Sequence, residues 1–232
     1  MSLTFTAYQF SSVLKKAACA VMIFSFYHCT NSKSENQLYQ SKEDSLIQKQ
    51  KIINAYVIID SVKSIIRSGD MITRTGADFT SESLRNLNQR DQTYSHCGIA
   101  SIENDTIFVY HALGGDFNPD QKILRQPIEV FAQPGDNRGF GIFRFQLSGS
   151  ETDSVLATAK GLFQAGIMFD LQFNLATDNR MYCAEYIYKS YFWGTGKKLI
   201  FPISHIKDFT FIGVDDLFLH PLCQSLQRIV YK

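Results

Sequence analysis

Two strand-like segments separated by three residues constrain the fold of this 232-residue chain more than any other feature. Residues 94–102 and 106–113 contain many β-branched and aromatic side chains, which favour strands. Residues 103–105, Glu-Asn-Asp, lie between them and have the composition of a tight turn. This pattern predicts an antiparallel hairpin, in which side chains of one strand lie beside those of the other.

The predicted hairpin brings two of the five histidines together. If Glu103 and Asn104 form a two-residue loop, His96 lies directly opposite His111 on the same face of the sheet. A loop that differs by one residue would shift this pairing. Cys97 points to the opposite face because successive strand residues alternate, so we expect it in the core rather than beside His96.

The other segments predict an α+β fold in which an antiparallel sheet packs against helices. The composition, with 45% hydrophobic and 19% charged residues, is that of an ordinary globular domain. Apolar periodicity, cap residues and turn signals mark the remaining elements. We predict helices over residues 43–66, 80–91, 128–133, 150–165 and 181–193, and further strands over 71–75, 139–147, 209–214 and 228–231.

The first 29 residues have the pattern of an export signal. Lys15 and Lys16 precede an apolar run over residues 17–27, which is too short to span a bilayer but fits the hydrophobic region of a secretory signal. Cys29 follows this run and precedes a polar segment, an order that resembles the start of a bacterial lipoprotein, in which the cysteine carries the lipid.

This pattern divides the chain into three parts. We expect a signal peptide of the lipoprotein type over residues 1–29, a linker over 30–42 and one folded domain over 43–232. The protein would then be exported and held in the periplasm or at the outer membrane by a lipid on Cys29. Signal cleavage without lipidation and a buried N-terminal helix are the alternatives.

A second cysteine has the sequence context of a nucleophile. Cys183 lies near the start of the helix predicted over residues 181–193, where the helix dipole lowers the pKa of a thiol. The thiolate is the reactive form, and it needs a nearby imidazole and a polar group that orients that imidazole. Cys183, His96 and His111 have the chemical types of nucleophile, base and orienting residue.

Other roles for these three side chains are open at this stage. The same residues have the donor types of a metal site, but no H-x-x-x-H or C-x-x-C spacing supports one, so no metal is expected. In an oxidising compartment Cys183 could form a structural disulfide with Cys97 or Cys223, which would remove the nucleophile. The net charge of +1 gives no electrostatic case for a nucleic-acid partner, and no cofactor is expected.

Five short motifs occur in an order that resembles a known family. They are Gly-Asp-Met-Ile at 69–72, Tyr-Ser-His-Cys-Gly-Ile at 94–99, Val-Tyr-His-Ala at 109–112, Phe-Asp…Phe at 169–173 and Tyr-Cys-Ala-Glu at 182–185. Together they resemble the permuted papain-like cysteine hydrolases of the NlpC superfamily, in the YiiX/YaeF-like branch. The resemblance covers roughly residues 65–215. In that group the strands that carry histidine precede the nucleophilic cysteine.

The resemblance implies a circularly permuted papain-like core and a role for each site residue. Cys183 corresponds to the nucleophile and His96 to the base. His111 stands at the third position, which is often an acid in the family. The implied activity is hydrolysis of an amide bond through a thioester, with cell-wall-derived peptides as the substrate class.

Two other functions are compatible with the same residues. A cysteine with two histidines also resembles the related lecithin–retinol acyltransferases, which implies acyl transfer or hydrolysis on lipid esters. A catalytically inactive binding lipoprotein is the alternative from a different functional class. A fatty acyl group, a peptidyl group or no adduct on Cys183 would separate the three possibilities.

Overall fold

The computed structural model describes residue 40, residues 42–115 and residues 117–232. The chain divides into two units, residues 1–51 and residues 52–232. In the first unit, residues 42–51 are helical. The second unit contains all the elements that follow. Within the described residues, no helix is both long and apolar enough to cross a membrane. The predicted signal peptide, Cys29 and nearly all of the predicted linker lie outside the described residues.

Two antiparallel sheets form in the second unit. Their strands are β1 (Met71–Gly76), β2 (His96–Glu103), β3 (Thr106–His111), β4 (Leu124–Pro127), β5 (Asn137–Phe145), β6 (Ser204–Ile206), β7 (Phe209–Phe211) and β8 (Cys223–Val230). The central sheet has six strands in the order β4-β3-β2-β1-β5-β8, and β6 and β7 form the separate two-stranded sheet.

Helices pack against this sheet, so the fold is a mixed one of the α+β kind, as predicted. The helices are α1 (residues 52–62), α2 (Phe79–Arg85), α3 (Ile128–Phe131), α4 (Gly149–Gln164), α5 (Cys183–Gly194) and α6 (Val214–Phe218), with a 3-10 turn at Lys63–Ile65. The two longest, α4 and α5, pack against each other, and α5 also packs on β2.

The sheet has a hydrophobic core on each face. One core contains Cys97 and Ile99 of β2 together with the inner faces of α4 and α5. The other contains Ala100 of β2 and Val109 of β3, with Phe131 of α3. Alternation along β2 therefore separates Cys97 from His96, as predicted.

The hairpin between β2 and β3 forms with a different loop from the one predicted. Glu103 pairs with Thr106, so the two loop residues are Asn104 and Asp105, not Glu103 and Asn104. Both loop residues have positive φ, 48° and 62°, as a type I′ turn requires, and Asn and Asp adopt that conformation more readily than Glu. This register does not place His96 directly opposite His111.

Several element boundaries also differ from the predictions. Helix α2 begins one residue earlier than expected because Asp78 caps it by accepting a hydrogen bond from the Ser81 N–H. The last strand, β8, has eight residues and pairs with β5 over its length, where only a short strand was expected. The edge strand β4 was not predicted, because its four residues lack an alternating pattern.

The buried carboxylate of Asp70, the residue before β1, holds two arginine residues in place, and this arrangement gives a stability prediction. Asp70 is 1% exposed, accepts from Nε and Nη2 of Arg144 at 2.7 Å each, and accepts from the Arg67 N–H at 2.7 Å. Replacing Asp70 by alanine removes the charge partner of Arg144 and the acceptor of the Arg67 N–H, so we expect the free energy of unfolding to fall by about 3 kcal/mol. The exposed Asp153 provides the control: Asp153→Ala should change it by less than about 0.5 kcal/mol in urea denaturation. Equal losses in the two variants would contradict this role for Asp70.

Candidate functional site

The rings of His96 and His111 are joined by a hydrogen bond. Nε2 of His96 lies 2.8 Å from Nδ1 of His111, and the two rings meet edge to face at 87°. Nε2 of His111 lies 3.0 Å from Oε1 of Gln126 on β4. The two histidines meet because both lie on one face of the sheet. A side chain at the intervening Gly98 would lie 3.1 Å from the Cβ of His111, so the glycine leaves room for the pair.

This chain of hydrogen bonds determines the tautomer of each ring. The amide oxygen of Gln126 can only accept, so Nε2 of His111 carries the proton and donates. Nδ1 of a neutral His111 is then an acceptor, and Nε2 of His96 must donate to it. Nδ1 of His96 is consequently unprotonated, and it is the nitrogen at which this pair can take up a proton.

Burial keeps both rings neutral. His111 is fully buried and His96 is 5% exposed. Desolvation, followed by the positive charge of Arg74, lowers the pKa of His111 to about 3 and the pKa of His96 well below 6.5. The ring of Phe131 packs against both imidazoles. A neutral imidazole at physiological pH is the form that can act as a base.

Cys183 is the first residue of α5, and its thiol contacts Cys97. The helix begins at Cys183, two residues later than predicted, with Tyr182 as its N-cap. The neighbouring thiol of Cys97 is the first influence that lowers the pKa of Cys183. Burial opposes that effect, whereas backbone N–H groups and the charge of Arg74 assist it. Burial and this contact raise the pKa of Cys97. The pair therefore favours a thiolate on Cys183.

The thiol contact yields a prediction for alkylation. Cys97→Ala removes the neighbouring thiol that lowers the pKa of Cys183, so we expect the pH midpoint of Cys183 alkylation by iodoacetamide to rise. The partly buried Cys223 supplies the control, because Cys223→Ala leaves the Cys97 thiol in place and should not move the midpoint. Both measurements use mass spectrometry of the Cys183 peptide. An unchanged midpoint in Cys97→Ala would show that the contact does not set the reactivity of Cys183.

Arg74 is a charged residue that influences both the thiol and the imidazoles. The sequence analysis did not identify it. It lies on β1 directly across from His96, and its charge lowers the pKa of His96, His111 and Cys183. Its Nη1 donates to the Phe131 carbonyl at 2.9 Å, and the guanidinium lies over the Phe131 ring. An arginine inside an otherwise buried strand, Met-Ile-Thr-Arg-Thr, is the signal that could have identified it.

The structure joins the predicted site residues in two sets. Among the described residues, a hydrogen bond joins His96 to His111, the Cys97 thiol acts on the pKa of Cys183, and no hydrogen bond joins Cys183 to His96. Cys97, Cys183 and Cys223 are free thiols in this structure. Among the described residues, no group of three His, Cys, Asp or Glu side chains is placed to hold a metal ion.

Two cavities lie beside Cys183 and the histidine pair. A narrow crevice of about 30 Å³ reaches Cys183, and most of its walls are apolar. A larger and more polar cleft of about 560 Å³ is lined by Arg74 and by Gln126, the partner of His111. The crevice walls include Leu84, Leu87, Phe173, Tyr182, Phe211 and Val214.

Comparison with known proteins finds a likeness in structure alone. No protein-family model matches the sequence, and no curated protein matches it. Among solved structures, the chain is similar to the metalloprotein yiiX from Escherichia coli O157:H7, assigned to DUF1105. The TM-score is 0.57 at 19% sequence identity, over 71% of this chain and 98% of that chain. At this identity the similarity establishes the fold, and the chain has a YiiX-like fold.

Proposed function

We propose that the protein is a cysteine hydrolase with a permuted papain-like site. Cys183 is the nucleophile, His96 the general base and His111 the residue that orients His96. The observation that carries the proposal is the hydrogen-bonded pair of neutral imidazoles, in which His96 lies across from Arg74 and on the strand against which α5, the helix that begins at Cys183, packs. Hydrolysis by a thiol requires these groups together: a thiol that ionises readily and a neutral base.

The reaction begins with transfer of the Cys183 proton to Nδ1 of His96. For this step the sulfur exchanges its contact with Cys97 for one with His96. The thiolate then attacks the carbonyl carbon of an amide, and the imidazolium donates its proton to the leaving amine, which leaves a thioester on Cys183. The hydrogen bond from Nε2 of His96 to His111 holds the ring orientation throughout.

The second half of the reaction uses the same groups. His96 takes a proton from water, and the resulting hydroxide attacks the thioester carbonyl. The sulfur leaves and recovers the proton from His96, while the product departs as a carboxylic acid. The backbone N–H of Cys183 is unpaired within the first turn of α5, and it supplies a donor for the oxyanion.

The substrate class follows from the resemblance and from the expected export of the protein. An amide bond in a cell-wall-derived peptide is the first candidate, with a lipid on Cys29 holding the enzyme at the membrane. The apolar crevice beside Cys183 favours a second candidate, a lipid ester, because Leu84, Leu87 and Phe173 offer a surface for an acyl chain. An inactive binding lipoprotein is the remaining alternative.

A metal centre is a poor fit to the residues of this chain. The related yiiX structure is described as that of a metalloprotein. Here Nδ1 of His111 accepts from His96 and Nε2 donates to Gln126, so neither nitrogen of that ring has a free lone pair. A protein metal site also needs a third ligand, and the described residues provide no such group of three. The proposed mechanism therefore uses groups of this chain and water.

Trapping of the acyl-enzyme tests the proposal. The protein is mixed with a peptide p-nitroanilide or with a p-nitrophenyl fatty ester, quenched in acid and analysed by intact and peptide mass spectrometry. A peptidyl adduct on Cys183 supports the amidase, and a fatty acyl adduct supports the lipid-ester activity. Cys223→Ala serves as the control for nonspecific thiol acylation. The absence of any adduct on Cys183 would favour the binding lipoprotein.

A further inference from the structure

The polar cleft next to the two histidines contains a positive charge with few partners. Arg74 reaches this cleft from β1, and Gln126, Gln133 and Asn137 contribute amide side chains to its walls. The cleft has a volume of about 560 Å³, which is the size of a small-molecule site. Gln126 lines the cleft and is also the hydrogen-bond partner of His111, so the cleft lies beside the hydrogen-bonded histidine pair.

The guanidinium of Arg74 is only partly satisfied by the protein. An arginine has five N–H donors. Within the described residues, Arg74 makes one hydrogen bond, to the Phe131 carbonyl, and no ion pair. Two other partly buried arginines, Arg125 and Arg144, each hold a carboxylate, on Glu103 and Asp70. Burial lowers the pKa of Arg74 because the guanidinium is partly removed from water. A desolvated cation normally pairs with a carboxylate, and no described carboxylate pairs with Arg74.

The acidic residues of the cleft do not fill this role. The carboxylate of Asp78 is engaged at the N-terminus of α2, where it accepts from the Ser81 N–H at 2.9 Å and the Ser81 hydroxyl at 2.7 Å. Asp136 accepts from the side chain of Gln133. Neither forms an ion pair with Arg74, yet both lie near enough to influence its pKa. With two carboxylates near one guanidinium, the cleft favours a ligand with a single negative charge over a doubly charged phosphate.

From these contacts we infer that the cleft binds a carboxylate of the substrate and that Arg74 is its recognition residue. The inference rests on the proposed function and narrows its substrate class. The substrate is an acyl compound with a free carboxylate, which pairs with the guanidinium while the scissile carbonyl lies at Cys183. Planar pairing of a guanidinium with a carboxylate supplies both affinity and orientation.

Matched esters test this assignment. The probes are p-nitrophenyl hemisuccinate, hemiglutarate and hemiadipate, each compared with the neutral p-nitrophenyl ester of the same chain length. The rate of the first turnover is followed by release of p-nitrophenol. We expect the best carboxylate ester to acylate the wild-type protein about tenfold or more faster than its neutral counterpart. In Arg74→Gln the ratio should fall to near one, and Arg74→Lys should recover part of it.

The rate ratio separates recognition from a general loss of structure, because both esters are measured on the same variant. Arg138→Gln removes a positive charge from a different cleft and should retain the wild-type ratio. Acylation of the wild type without a preference, or a preference that survives in Arg74→Gln, would overturn the inference and leave the hydrolase proposal intact.

A binding measurement tests the cleft without catalysis. Monomethyl glutarate should slow the alkylation of Cys183 by iodoacetamide in the wild type, whereas dimethyl glutarate should not. The protection should disappear in Arg74→Gln. If no ester acylates Cys183 but this protection is seen, the carboxylate site is supported and the hydrolase proposal fails. If neither is seen, both fail.

Discussion

Cys183→Ala is expected to abolish formation of the acyl-enzyme, with the rate of probe hydrolysis falling by at least about a thousandfold. The reason is that the thiol supplies the electron pair that attacks the carbonyl, and Cys183 is the one cysteine of α5. The measurement combines first-turnover kinetics with intact mass spectrometry. Cys183 is small and buried, so alanine leaves only a minor cavity and the fold should persist.

Cys97→Ala is the matched control for this variant. Cys97 lies in the same core and contacts Cys183, so its replacement makes a comparable cavity without removing the proposed nucleophile. We expect Cys97→Ala to be acylated, at a rate that reflects the raised pKa of Cys183. Hydrolysis at the wild-type rate in Cys183→Ala would contradict the proposal. An acyl adduct on a different residue of Cys183→Ala would also contradict the proposal.

His96→Ala is expected to lower kcat/KM by about a hundredfold to ten-thousandfold, the usual contribution of a general base. The exposed His205 is a suitable control, and His205→Ala should leave kcat/KM unchanged. The effect of His111→Ala should be smaller, because His111 orients the base and does not itself accept the proton. Near-ultraviolet circular dichroism and the thermal midpoint distinguish these losses from unfolding.

The pH profile offers a second test of His96. Burial lowers its pKa well below 6.5, so the ring stays neutral as the solution is acidified through its ordinary range. Protonation of the base therefore removes activity only at pH values well below 6.5, and no acid limb due to this ring should be found near neutrality. Arg74→Gln removes a nearby positive charge and should move that limb towards higher pH. An acid limb at 6.5 in the wild type would contradict the buried, neutral imidazole.

The hairpin illustrates how far local sequence could predict the site. The turn composition and the strand pattern predicted β2, β3 and the common face of His96 and His111. The loop was displaced by one residue along the chain, to Asn104 and Asp105. Moving both ends of the loop by one residue shifts the strand pairing by two positions, which preserves the face of each side chain. The two rings therefore meet diagonally rather than directly.

Sequence by itself also determined the α+β class, the position of a helix start near Cys183 and the core location of Cys97. These properties depend on residues close together in the chain, whose periodicity and cap chemistry can be recognised in order. Only the tertiary structure decided that Cys183 contacts Cys97, and that Arg74 influences both the thiol and the histidines. Those contacts join β1, β2 and α5, and they depend on strand register and helix packing, which arise from the summed burial of side chains far apart in sequence.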